Sequence, residues 1–136
     1  MPVLHQNSLG RISLTTDLWS DPNLDSYMAV TAHFMMRDET SGCIVFRTHL
    51  IAFRFIDGPH SGAHLGQEFL KITDDLEISN KVCHIPPSLV MIRTQRIQFG
   101  QITMDNASNN NTLMAEIESE LRRRGIPFDR NGNRLR

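Results

Sequence analysis

A chain of 136 residues is long enough for one compact domain and too short for two. Fourteen Lys+Arg against fifteen Asp+Glu leave a net charge of −1, which argues against a stand-alone nucleic-acid clamp, because tight phosphate binding needs many cationic contacts. With 40 % hydrophobic residues the chain can build a core, which excludes wholesale disorder.

Residues 1–10 read as an N-terminal tail. The start, Met1-Pro2-Val3-Leu4-His5, shows no charged stretch followed by an apolar run, so no signal peptide is expected. No apolar stretch approaches the ~18 residues that span a bilayer, and an intracellular protein is expected. Cys43 and Cys83 stand apart with no CxxC or CxxH around them, so neither a disulfide framework nor a zinc knuckle is expected.

Arg11 to Trp19 alternates strictly, with Ile12, Leu14, Thr16 and Leu18 on one face and Ser13, Thr15, Asp17 and Trp19 on the other. That period of two predicts a strand. Asp21-Pro22-Asn23 breaks it. Tyr27–Met36 predicts a second strand, and Arg37 to Gly42 a polar hairpin connection. Cys43–Phe55 predicts a third strand, antiparallel to the second. After the turn Asp57-Gly58-Pro59-His60-Ser61-Gly62, Leu65, Phe69, Ile72 and Leu76 form the stripe of an amphipathic helix. Val82–Gln98 follows no period and contains Pro86-Pro87. Gly100–Met104 predicts a short strand that ends at Asp105-Asn106. Leu113, Met114, Ile117 and Leu121 mark a second helix, stopped by Gly125 and Pro127. The tail from Phe128 to Arg136 is polar and basic and shows no core-forming pattern.

Two acids stand out by position. Asp17 lies near the end of the first strand and Asp105 at the end of the fourth. If those strands are neighbours, the two carboxylates converge at one end of a sheet. With a third acid, such a pair suits two Mg²⁺ ions that clamp a phosphodiester displacement. Spacing alone also allows a plainer reading, in which Asp105 ends a strand and caps a helix and Asp17 opens a turn.

Thr15-Thr16-Asp17-Leu18-Trp19-Ser20, Thr31-Ala32-His33-Phe34, Gly58-Pro59-His60-Ser61-Gly62 and Gly100-Gln101-Ile102-Thr103-Met104-Asp105-Asn106-Ala107-Ser108-Asn109-Asn110 together resemble the ribonuclease H-like domain of hAT-type transposases. Ile126-Pro127-Phe128-Asp129 and the basic tail match as well, so the resemblance covers about residues 11–81 and 99–136. It implies an α/β chain with an incomplete ribonuclease H-like fold: a mixed sheet of three antiparallel strands plus a parallel fourth, with two helices. Residues 11–136 would form this partial domain, with the atypical insert at 82–98. Joining Lys81 to Phe99 restores the family's pattern, and the insert has the in-frame length and edge residues of a translated intron; an ordinary loop is the alternative.

The family cuts and joins DNA with an Asp-Asp-Glu triad and divalent metal. The resemblance therefore implies Asp17 and Asp105 as catalytic and metal-binding residues for Mg²⁺ or Mn²⁺. The third acid, a Glu on a distant helix, has no match, and Glu116, Glu118 and Glu120 come too early in the fold. The expectation is a fragment of a transposase core, inactive alone, from a nuclear, DNA-binding parent. The alternative is a non-enzymatic, transposon-derived interaction module. An uncovered sheet and an open edge at the fourth strand would invite self-association or require the missing C-terminal half.

Other residues have two readings each. His60 and His64 have the i, i+4 spacing of helical metal ligands, although His60 sits in a turn. Trp19 could stack on a nucleic-acid base or be buried at a strand end. Arg122, Arg123 and Arg124 could contact phosphate, or form a solvated helix C-terminus diluted by nearby glutamates. The methionines read as core filler, and Cys43 as buried and inert.

Overall fold

The computed structural model describes residues 8–21, 25–76, 78, 99–105 and 108–135; the expected insert at 82–98 lies outside them. The elements are β1 (Ser8–Ser20), β2 (Ser26–Arg37), β3 (Ile44–Ile56), α1 (Gly62–Asp75), β4 (Phe99–Thr103), α2 (Asn110–Arg123) and β5 (Arg134–Leu135). They form one sheet in the order β3-β2-β1-β4-β5. β1, β2 and β3 are antiparallel neighbours, whereas β4 runs parallel to β1 and β5 parallel to β4.

β1 starts at Ser8, inside the stretch read as a tail. Its register against β2 slips between Leu9 and Ser13, where Gly10 has a φ of 81°. This bulge leaves the alternation beyond it intact: Ile12, Leu14 and Thr16 are buried while Asp17 and Trp19 are exposed. A second slip in β4 falls beside Gly100, whose Cβ would lie 2.5 Å from Ser13 Oγ and 3.1 Å from the Ile12 carbonyl oxygen. Only glycine lets β4 approach β1 there.

Both helices cover one face of the sheet. α1 is capped by Ser61, whose Oγ accepts the His64 amide, and buries Leu65, Phe69, Leu70 and Ile72. α2 buries Leu113, Met114, Ile117 and Leu121. These meet Ile12, Leu14, Met28, Val30, Ala32, Phe34 and Ile102 in one core. Each such large side chain contributes about 2 kcal/mol by leaving water. The helices cross closely because α1 presents glycine. A Cβ on Gly62 would sit 2.5 Å from the Asn109 carbonyl oxygen, and one on Gly66 would sit 2.9 Å from Glu116 Cβ.

The opposite face is open. Trp19, Met35, Ile44, Phe46, Leu50, Phe53 and Phe55 lie there or along β3, between 39 % and 63 % exposed. β3 is the edge strand, and a bulge between its partners to Val30 and Thr31 keeps Leu50 in phase with Phe53 and Phe55.

Three expectations change. β4 is not an open edge, because the tail, in which no core-forming pattern was read, supplies β5. The Asp129 carboxylate accepts the amides of Asn131 and Gly132, and Asn133 donates from its side chain to the Gly100 carbonyl at 2.8 Å. The Ile102 amide donates to the Asn133 carbonyl at 2.6 Å. Backbone pairing, which leaves no hydrophobic period in a sequence, makes that strand. Cys43 is exposed, since it precedes an edge strand at a hairpin. Of the methionines, Met28, Met104 and Met114 fill the core, but Met35 faces the open side and Met91 lies outside the described residues.

Candidate functional site

The parallel pairing of β1 with β4 sets the geometry of the two acids. Leu14 pairs with Ile102 and Thr15 with Thr103, so the register carried two residues further places Asp17 level with Asp105. Neighbouring strands are ~4.8 Å apart, and paired residues of parallel strands present side chains to the same face. Both acids are exposed, continuing the alternation of Ile102 buried, Thr103 half-buried and Met104 buried. The register thus brings the two acids level at the C-terminal ends of adjacent strands: Asp17 lies on the open face, and Asp105, just beyond the end of β4, meets the start of α2.

Asp105 is held from the covered side. Asn110, at the first turn of α2 and 1 % exposed, donates from Nδ2 to Asp105 Oδ1 at 2.8 Å and to the Asp105 carbonyl oxygen. Asn109 occupies the N-cap position, and its side chain donates to the His60 carbonyl at 2.9 Å. Asp105 is thus tied to the start of α2, whose N-cap position is Asn109. Asp17 does not open the turn: that role belongs to Asp21, whose carboxylate accepts the Asp25 amide at 2.9 Å. In sequence, the signal for Asn109 and Asn110 is a polar residue just before an apolar helical stripe.

Asp105 lines a cleft of about 160 Å³ between the end of β1, the start of β2 and the starts of both helices, together with Leu18, Ser26, His60, Leu65 and Asn110 among others. His60 Nδ1 is 3.3 Å from Ser26 Oγ, which is 2.8 Å from Ser20 Oγ. His64 instead turns its Nε2 to the Asp57 carbonyl at 2.8 Å. The two histidines do not share a site, because His60 precedes the helix and His64 ties down its entry turn. Among the described residues, no group of three or more His, Cys, Asp or Glu side chains could hold a metal ion.

Trp19 is not buried. It is 41 % exposed, with its ring centroid 6.1 Å from Tyr27 and 5.2 Å from Phe53. Its phase on β1 puts it with Asp17, on the face the helices leave open. Further along that face Thr15 Oγ1 lies 2.8 Å from His33 Nε2, and His33 Nδ1 lies 3.2 Å from Thr48 Oγ1.

The arginines are at the far end of α2, about 20 Å from Asp105 along a helix of this length. Arg123 and Arg124 both bind Glu120, Arg124 also binds Asp74 of α1 at 2.6 Å, and Arg122 lies 3.7 Å from Glu118. Hydrogen bonds from Arg123 and Arg124 pull the Glu120 carboxyl down to about 2. Their charge is met within the domain, so geometry does not bring them to the acids.

The family described as the ZBED1 RNase-like domain matches residues 15–132. A protein of Talaromyces stipitatus named as the transcriptional regulator tpeD is 26 % identical over 86 % of this chain. Two Zea mays proteins, named as AC transposase and AC9 transposase, are each 28 % identical over 82 % of it. The chain spans 11 % of the length of each of these relatives. No solved structure gives a significant match. The mixed sheet with two helices on one face agrees with these likenesses: the chain belongs to the ZBED1 RNase-like domain family and is a hAT-type, transposase-derived domain.

Proposed function

We propose that Asp17 and Asp105 are two of the metal-binding carboxylates of a DNA-cutting core, and that this chain holds a divalent cation weakly and does not cleave DNA alone. The observation that supports this reading is the β1–β4 register, which, continued two residues beyond its last pair of Thr15 with Thr103, brings the exposed Asp17 level with the exposed Asp105. Carboxylate oxygens are the donors Mg²⁺ and Mn²⁺ prefer, so the residues fit the ion. Asn110 orients Asp105, and the rigid pairing of β1 with β4 orients Asp17. When bound, the ion would polarise a phosphate oxygen and acidify a water. A complete two-metal site needs a further acid, and none of the described residues supplies a third ligand to a cluster. A nuclear parent protein and contact with DNA follow from the transposase relatives as part of this proposal. Among the described residues, no helix is long and apolar enough to cross a membrane.

A second reading is a domain used for interaction without chemistry. It is favoured by the relative named as a transcriptional regulator and by the internal pairing of Arg122, Arg123 and Arg124. Calorimetric titration with Mn²⁺ separates the two. The first reading expects binding in roughly the millimolar range, abolished by Asp17→Asn and by Asp105→Asn with the fold retained. A folded wild-type chain that takes up no Mn²⁺ refutes it and leaves the interaction module.

A further inference from the structure

We infer that His60 is a contact for DNA: its Nε2 donates to a phosphate oxygen of a strand lying in the cleft beside Asp105. The identity of the substrate rests on the metal reading above, and the contact itself rests on the geometry of the cleft.

An exposed histidine on a turn ordinarily moves among rotamers, and ordering it costs conformational entropy. His60 is exposed yet held at both ends. Its carbonyl accepts the Asn109 side-chain amide at 2.9 Å, which ties the turn to the start of α2. Its Nδ1 lies 3.3 Å from the Oγ of Ser26, a residue only 5 % exposed, and that Oγ lies 2.8 Å from Ser20 Oγ. His64 fastens the turn from the other side through the Asp57 carbonyl. Among the described residues, none is a partner for Nε2 of His60. A ring already ordered by the fold, with its outer nitrogen unused, binds a ligand without further ordering cost.

The hydroxyl chain decides what that nitrogen offers. Ser20 donating to Ser26, and Ser26 to Nδ1, leaves the ring proton on Nε2. Protonation of the ring reverses the chain and leaves a proton on Nε2 as well. Nε2 is a donor in both states, so it suits an acceptor oxygen and does not ligate a cation. Beside two acids proposed to act on a phosphodiester, that acceptor is a phosphate oxygen. The start of α1 borders the same cleft and carries no Asp or Glu in its first turn, so the positive end of its dipole adds to the attraction. Of the residues lining the cleft, only Asp105 bears a charge that opposes an anion. The cation of the proposed site, or neutral side chains in place of the two acids, relieves that repulsion.

The test is fluorescence anisotropy of a labelled single-stranded oligothymidylate with the full chain in two settings. One is the wild type with Mn²⁺; the other is Asp17→Asn with Asp105→Asn in EDTA. In each, His60→Asn keeps an amide group where Nδ1 stood and loses the outer donor, whereas His60→Gln places a donor where Nε2 stood. His60→Asn should weaken strand binding at least about 10-fold, the effect of losing one hydrogen bond to a charged group. His60→Gln should stay within about 3-fold of its parent, with circular dichroism unchanged in both variants. No loss for His60→Asn, or a loss for His60→Gln as large or larger, shows that His60 acts only through Ser26 and overturns the inference. A folded parent that binds no strand in EDTA overturns it too. So does inorganic phosphate that displaces the strand at an equal concentration of phosphate groups, which assigns the site to the free ion. Strand binding that follows this order in EDTA but is absent with Mn²⁺ supports the inference and faults the metal reading, so the two fail separately.

Discussion

Replacing Asn110 by Asp changes one buried atom and reverses what Asp105 meets. In the native chain the Asn110 amide donates to both the carboxylate and the main-chain carbonyl of Asp105. One bond to a charged acceptor and one to a neutral acceptor contribute about 3 kcal/mol together. Asn110→Ala should lose about 2–3 kcal/mol, since the exposed Asp105 regains some hydration. Asn110→Asp loses the same bonds and adds a buried carboxylate facing two acceptors, which raises the cost to about 4 kcal/mol. Placing a negative charge in the first turn of α2 returns at most about 1 kcal/mol, so repulsion wins over the helix dipole. With a urea dependence of about 2 kcal/mol per molar, the midpoint should fall by about 1.5 M at pH 7. The introduced carboxyl is held above its unfolded value, so its destabilisation is absent below the unfolded pKa and grows as pH rises through the folded one. The deficit against Asn110→Ala should therefore shrink as the buffer is acidified. A midpoint for Asn110→Asp at or above that of Asn110→Ala at pH 7 would refute the assignment of Asn110 as the donor that holds Asp105.

Gly62→Ala gains helix propensity of about 1 kcal/mol, but it drives a Cβ to 2.5 Å from the Asn109 carbonyl oxygen; a net loss of about 2 kcal/mol is expected in thermal unfolding. Equal or higher stability would show that the helices can separate freely there. Glu120 sits near 2 instead of 4.5, so its contribution is fully present above 4.5 and is lost as pH falls through about 2. Substituting Arg123→Ala and Arg124→Ala together should return its NMR titration toward 4.5, and an unmoved midpoint would contradict the pairing.

The first four strands and both helices are legible from periodicity because each presents one face to a single core. Ile12, Leu14 and Thr16, and later Leu113, Met114, Ile117 and Leu121, announce that face directly. The parallel neighbouring of β1 and β4, which the family resemblance implied, is what the structure shows. β5 is hidden because two residues carry no period; its cause is the Asp129–Asn133 turn and main-chain bonding. The buried readings of Trp19 and Cys43 fail for a shared reason. Hydrophobic character marks a residue as able to be buried, whereas only the sheet's two faces and its edge decide whether it is. Asp17 and Asp105 were singled out from sequence by their strand-end positions and by the family resemblance. Asn110, which holds Asp105, was not, because a satisfied buried amide looks like any polar residue in a loop.

The insertion of β4 beside β1 also sets an order of events in folding. The β1–β2–β3 meander closes through short hairpins, whereas the Gln101 amide reaches Ser13 across a separation of 88 residues. Contacts so distant in sequence form late, after the local hairpins have paid most of their ordering entropy. Asp17 is thus in place on its strand before Asp105 arrives, and the two acids come level only once β4 has docked.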